Sequence, residues 1–304
     1  MMIFSGFTLL FGYRFLFATV APHFMAKAGD TDFKVLSYNV RTFNGFVSSR
    51  SLNPQESDSM INWVLNSNND VLCLQEFYAL PNSNVFNTVQ RLKKAGYKHH
   101  YFSILRTFKW GNSVGMAIFS KHKILNSGLV YRREKSNNQI MWADIAYNGQ
   151  KVRIYNAHFQ SIFLKEEEFP GYENSEEAKR DIRSIVNKLK TAYLKRSEQV
   201  NLLLQHMKTT PHPTIICADL NDTPYSNAYL RLRDAADNSF ERAGFGFGYT
   251  YNGFLPTLRI DHHFYTNGWR ATKHTVRQDI KFSDHFPVEV SYQLSTDLLP
   301  TSAQ

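Results

Sequence analysis

The stretch TIICADLNDTP, residues 214–224, decides the fold. Its first half is an apolar run rich in β-branched residues, the composition of a strand buried on both faces. The run stops on Asp219, with Asn221 two positions on and Asp222-Thr223-Pro224 breaking the strand. A carboxylate has no cheap place there, because an unpartnered buried polar group costs about 1–3 kcal/mol. Working outward, other apolar runs end in the same way: FKVLSY on Asn39, DVLCLQ on Glu76, VRIYNA on His158 and LRI on Asp261, while Ser283-Asp284-His285 stands just ahead of PVEV. Strands that all stop on such groups are expected to converge on one polar cleft, as ligand sites do at the carboxyl ends of sheet strands. Carboxylates, amides and imidazoles without a thiolate cluster point to a hard divalent cation and phosphate chemistry.

Between these runs the pattern alternates. Asn53-Pro54-Gln55-Glu56 reads as a capped helix start, and Met60, Ile61, Val64 and Leu65 mark its apolar face. A second helix is expected at about 83–95, closed by Gly96. Strands follow at roughly 97–104, 113–120, 124–131, 139–147 and 151–159, the last two joined by an Asn148-Gly149 hairpin. A helical stripe of Ile182, Ile185, Val186, Leu189, Tyr193, Val200, Leu203, Leu204 and Met207 spans about 174–208 and is read as core packing, in one helix or two. Strand 214–218, a short helix near 226–233, and strands near 258–265 and 287–293 complete the chain. The pattern, without a GxGxxG or Walker loop, is that of an α/β protein in which two sheets pack face to face with helices outside.

The 304 residues, 43% hydrophobic, suffice for one large domain, and a site assembled from Asn39 to His285 argues against dividing it. The catalytic domain is accordingly expected over 31–295, with 296–304 as a tail. A net charge of +9 favours anionic partners such as nucleic acid, phospholipid head groups or other phosphate esters. Cys73 and Cys217 both lie in apolar runs and are read as free core thiols. Residues 1–30 begin apolar and aromatic apart from Arg14, and are expected to be a membrane anchor or a signal segment. Membrane association is therefore the expected location, with an exported or cytoplasmic protein as the alternatives, and no obligate protein partner is evident. The aromatic loop Phe245-Gly246-Phe247-Gly248-Tyr249 is read first as packing and second as a surface for a membrane-borne substrate.

Glu76 is the best metal-ligand candidate, since Mg²⁺ is held by one or two carboxylates plus waters. Asn39 could hold the same ion or a phosphate oxygen, and Asp284 could close the site from the opposite side. Asp219 and Asn221, two apart, suit the orientation of an attacking water and a phosphoryl oxygen. His158 and His285 titrate near neutral pH and suit proton transfer or charge stabilisation, with Asp261 orienting His285. Adjacent residues on a strand point to opposite faces, so neither His262-His263 nor His99-His100 is expected to grip a metal.

The motifs LSYNV, CLQE, YNAHFQS, ICADLNDTP, LRIDHHF and FSDHFPV, in this order, resemble the endonuclease/exonuclease/phosphatase superfamily, which shares the fold of pancreatic deoxyribonuclease. The resemblance covers about residues 33–294. It implies a four-layer α/β/β/α sandwich, dependence on Mg²⁺ or Mn²⁺, and hydrolysis of phosphodiesters or phosphomonoesters. It also implies that Glu76, Asn39 and Asp284 place the metal, that Asp219 and Asn221 position nucleophile and phosphate, and that His158 and His285 assist, with Asp261 behind His285. His263 departs from the family pattern, where an apolar residue is more usual. Two rivals stand beside hydrolysis of nucleic acid or another phosphate ester: a phospholipid head-group phosphodiesterase at a membrane, and a non-catalytic membrane-tethered binding module.

Overall fold

The computed structural model describes residues 18–22, 28–29, 31–45, 53–133, 136–162, 175–253 and 257–295, with the side chains of 175–181 excepted. The expectations for residues 1–17 and for the tail at 296–304 lie outside the described residues. The strands are β1 (Ala21–Pro22), β2 (Phe33–Asn39), β3 (Val71–Ala79), β4 (His99–Thr107), β5 (Ser113–Ser120), β6 (Ile124–Arg132), β7 (Gln139–Tyr147), β8 (Gln150–His158), β9 (Thr214–Asp219), β10 (Asp237–Asn238), β11 (Phe245–Gly246), β12 (Asp261–Tyr265), β13 (Trp269–Val276) and β14 (Val288–Leu294). Helices α1 (Pro54–Asn66), α2 (Thr88–Lys94), α3 (Ser175–Met207), α4 (Asn227–Ala235) and α5 (Ser239–Ala243) connect them.

Two six-stranded mixed sheets form, in the orders β13-β14-β2-β3-β5-β4 and β10-β12-β9-β8-β7-β6. Each is antiparallel except at one central pair, β2 with β3 and β8 with β9. The sheets face each other across a core that includes Val35, Cys73, Ile118, Ile154, Cys217 and Val290. A second apolar layer lies under α1 and α2, and a third under α3 and α4. The architecture is therefore the expected α/β/β/α sandwich. Between the sheets, Gln75 Nε2 donates to Asn156 Oδ1 (2.8 Å) and to Ser37 Oγ (3.1 Å), and Asn156 Nδ2 donates to Ala117 O (2.9 Å). This polar clasp sits in an otherwise apolar interior and fixes one sheet against the other just beneath the strand ends.

The start of α1 is capped as the sequence indicates, with the Asn53 side chain accepting from Gln55 N and Glu56 N. The thiols of Cys73 and Cys217 are free and buried. Three expectations need correction. The helix read over 83–95 covers only Thr88–Lys94, because Ser83 Oγ accepts from Val85 N and Phe86 N and holds 83–86 as a turn. The strand read over 258–265 is regular only from Asp261, since Ile260 N and Asp261 N both donate to Thr250 Oγ1. The apolar stripe of α3 is core only in its C-terminal half: Val200 and Leu203 are buried, but Ile182, Val186, Leu189 and Tyr193 are 40–54% exposed. Spacing alone marks an apolar face and does not say what covers it.

Candidate active site

The site is built at the ends of the two parallel pairs. In β8 and β9 the register sets His158 beside Asp219, and in β12 and β9 it sets Asp261 on the other side of Asp219. The second sheet brings Asn39 opposite Gln75. Glu76 follows at a break in register between Leu74 and Phe77, with φ +50°. Bulges re-aim side chains in this way. Strand alternation buries Gln75 between the sheets and Phe77 under the helices, and the bulge frees Glu76 to face the strand ends.

Asp219 is fully enclosed and sits at the centre. Its Oδ2 accepts from Asn39 Nδ2 at 3.0 Å and lies 3.4 Å from His158 Nε2 and 3.9 Å from His285 Nε2. Its Oδ1 accepts from Asn221 N at 3.1 Å, where Asn221 has φ +51°. Asp219 thus reaches the cleft through its neighbours, the two imidazoles and two amides. Asn39 Oδ1 accepts from Arg41 N, so its amide nitrogen faces the carboxylates of Asp219 and Glu76. His158 Nε2 is 4.0 Å from Glu76 Oε1. On the far side His285 Nδ1 pairs with Asp261 Oδ2 at 2.9 Å. Burial alone would push the His285 pKa down, but Asp261, Asp219 and Asp284 outweigh it and hold the ring well above its ordinary value. Burial raises Asp261 as well, against the pull of His285.

A cavity of about 280 Å³ opens over these groups, lined by residues that include Asn39, Glu76, His158, Asn221, Asp284 and His285. Glu76 and His285 therefore share one pocket, as the sequence reading requires. Asp284 holds Arg41 Nε at 3.6 Å on the rim, and Ser283 Oγ donates to Asn39 O at 2.8 Å, tying the Ser283–His285 loop to the end of β2.

The lining includes two carboxylates and, among the described residues, no Lys or Arg. Hard oxygen donors of this kind fit a divalent cation. Asp219, Asp261 and His285 also bring ligand atoms within 4.8 Å of one another, but neither Asp219 nor Asp261 lines the cavity. Glu76 and Asp284 are the better-placed donors.

Several site residues were not singled out from the sequence. Tyr251 lines the cavity, bridges to His285 and sets its ring edge-on to that imidazole at 5.4 Å. Thr250 anchors Asp261 N, and Asn138 Nδ2 donates to Phe159 O at the back of the cleft. All three sit in loops without a strand-end signature. The residues after β2 add a further feature. Arg41, Thr42, Phe43 and Asn44 form a short left-handed coil with φ between 42° and 57° and no glycine. Such a conformation costs roughly 1–2 kcal/mol per residue. Phe43 packed on Phe77, and Asn44 Nδ2 bonded to Phe282 O, hold it in place.

The two-sheet sandwich gathers carboxylates and imidazoles from its strand ends around one cavity. The family model described as "Endonuclease/Exonuclease/phosphatase family" matches residues 36–285, and the chain belongs to that family. No curated protein matches the chain. Among solved structures it is similar to an endonuclease/exonuclease/phosphatase family protein from Bacteroides thetaiotaomicron (20% identity, 87% of this chain and 98% of that one, TM-score 0.61). It is also similar to the human Nocturnin catalytic domain solved with a bound sulfate anion (15%, 88% and 97%, TM-score 0.59). A third is a Bacteroides thetaiotaomicron mannosyl-6-phosphatase (19%, 86% and 100%, TM-score 0.57). At these identities the likeness is one of fold.

Proposed function

We propose that the chain is a divalent-metal-dependent phosphoesterase that hydrolyses phosphodiester or phosphomonoester bonds by in-line attack of water. The observation that carries this reading is the cavity over Asp219, where the Nε2 atoms of two imidazoles converge within 4 Å of one buried carboxylate.

Glu76 and Asp284 would hold Mg²⁺ or Mn²⁺, which when bound supplies neutralisation of phosphoryl charge, while the Asn39 amide nitrogen steadies Glu76 and Asp219. The Asp219–His158 pair takes the proton of the attacking water, and Asn221, clamped by Asp219 Oδ1 and Phe159 O, orients that water against phosphorus. His285, kept protonated by Asp261, offers Nε2–H to the oxygen on which charge develops, and can deliver that proton to the leaving group.

Nucleic acid is one substrate class this reading accommodates. The β4–β5 hairpin, at the end of β3 that carries Glu76, exposes Lys109 and an 80% exposed Trp110, a cation beside a stacking surface. A panel of plasmid DNA, oligonucleotides, phosphomonoesters and lipid vesicles, assayed with Mg²⁺, Mn²⁺ and chelator, tests the reading. Turnover near the wild-type level in purified Asp219→Ala or His285→Ala would refute it.

A further inference from the structure

Helix α3, 33 residues or roughly 50 Å long, is longer than the nine-residue β8 beneath it. Arg196 Nη1 donates to Gln160 O (2.9 Å) and Asn221 O (3.2 Å), and its Nε lies 2.9 Å from Asp222 Oδ2. Position 196 is therefore level with the strand ends that carry His158 and Asp219. The helix runs from there back to Ser175, so about 20 residues, or roughly 30 Å, extend past the strand ends on the cleft side.

This arm has a composition unlike that of a helix standing in water. Ile182, Val186, Leu189 and Tyr193 fall at i, i+4, i+7 and i+11 on one face, and all four are exposed. Residues 182–195 carry Arg183 and Lys190 beside this stripe, Lys188 and Lys195 farther round the helix, and no Asp or Glu. An apolar stripe edged by cations is the pattern of a helix that lies in the head-group region of an anionic bilayer.

A second part of the surface repeats the theme. In the GFGFG run Gly246 and Gly248 have φ +69° and +61°, and a Cβ on Gly248 would lie 2.2 Å from the Phe240 ring. The chain therefore coils close over Phe240 and turns Phe245 and Phe247 outward, each more than half exposed. The N-terminal segment docks beside them. Ala21 and Pro22 pair with Gly246 and Phe245, the buried Arg259 donates to Ala18 O, and the Thr19 hydroxyl meets Tyr225 just beyond the cleft loop. Of the 17 residues that precede Ala18, twelve are apolar or aromatic.

We infer that the arm of α3, residues 182–195, is a membrane-binding element that seats an anionic bilayer on the cleft side of the molecule. The apolar stripe enters the head-group boundary and Arg183 and Lys190 beside it meet acidic lipid, while the exposed Phe245–Phe247 turn offers a second apolar contact. The inference concerns a surface and stands independently of the phosphoesterase reading.

The test uses the full-length chain with Leu189→Cys carrying a polarity-sensitive fluorophore; the native thiols are buried. Lys94→Cys, on α2 at the outer face of the other sheet, is the control. With vesicles of phosphatidylcholine and phosphatidylglycerol the label at 189 shifts to the blue and is quenched by nitroxide lipid, while the label at 94 stays in water. Pure phosphatidylcholine gives a smaller shift, and Arg183→Glu/Lys190→Glu weakens the anionic-lipid response by about ten-fold or more. The inference is overturned if the label at 189 stays in water on vesicles that carry the protein. It is equally overturned if the label is already shifted without lipid, which would mean that a second copy or the chain's own N-terminus covers the stripe, or if plasmid DNA shifts it and vesicles do not.

Discussion

His285 donates through Nδ1 to Asp261 Oδ2 at 2.9 Å and turns Nε2 toward the carboxylate of Asp219, 3.9 Å away. One imidazole is thus held between two buried acids, and the three side chains come from three different segments of the chain. Asp261→Asn preserves the shape and removes the charge that favours the imidazolium. Expected is a fall in kcat of about 10²–10³ with KM little changed and the melting temperature within a few degrees of wild type. Steady-state kinetics on a small soluble phosphodiester would show it, and an unchanged kcat would remove Asp261 from the scheme.

Chelation should abolish turnover, and Mg²⁺ or Mn²⁺ should restore it. An ion that binds only the folded chain also raises the melting temperature with its concentration, by mass action. Glu76→Gln is expected to lose most of that rise while keeping the fold, which differential scanning calorimetry measures without reference to activity.

The Gln75–Asn156 clasp predicts a non-additive pair. Gln75→Leu strands the Asn156 carboxamide between the sheets and should cost about 1–3 kcal/mol in urea denaturation. The double variant Gln75→Leu/Asn156→Leu leaves fewer orphaned groups and should lose less than the sum of the singles. Strict additivity would show that the two amides do not act as a unit.

Three buried histidines make the fold sensitive to acid. Burial pushes His262 and His263 down to about 3, and burial with the neighbouring His263 holds His274 well below its ordinary value. All three stay neutral in the folded chain, whereas the unfolded chain protonates them below about pH 6.5. Stability is therefore intact above that pH and is lost as pH falls from about 6.5 toward 3, at up to about 1.4 kcal/mol per pH unit for each ring. His263→Phe should make the slope between pH 6 and 4 shallower, by up to about 1.4 kcal/mol per pH unit, whatever it does at pH 8. An unchanged slope would mean that His263 is not neutral inside.

Trp110→Ala with Lys109→Ala is expected to raise KM for single-stranded DNA several-fold and to leave a small phosphodiester untouched. Equal kinetics on both would argue against a polynucleotide on that side of the cleft.

Much of this site was legible because strands report their own ends. A run such as TIICA leaves Asp219 no alternative to a functional or paired environment, and Asn39, His158 and Asp261 were visible by the same logic. Ser283-Asp284-His285 was legible from the strand that follows it. What could not be read was whatever depends on backbone bending or on cover. The bulge that re-aims Glu76 leaves no compositional trace, and Tyr251 is one more aromatic in a loop rich in them. The stripe on α3 is a correct reading of a helix face joined to a wrong reading of its surroundings, since Ile182 and Val200 obey the same period while only Val200 meets a sheet. His262 and His263 were rightly set on opposite faces, but only packing shows that both are enclosed.

The left-handed coil at Arg41–Asn44 puts durability and performance in opposition. Glycine at Thr42 would relieve the folded backbone there, yet it would also free the unfolded chain and slacken the peptide that sets the Asn39 amide. A laboratory selecting variants for heat tolerance alone would be drawn to these four positions, and the survivors it collected would be sturdier proteins with a blunter tool.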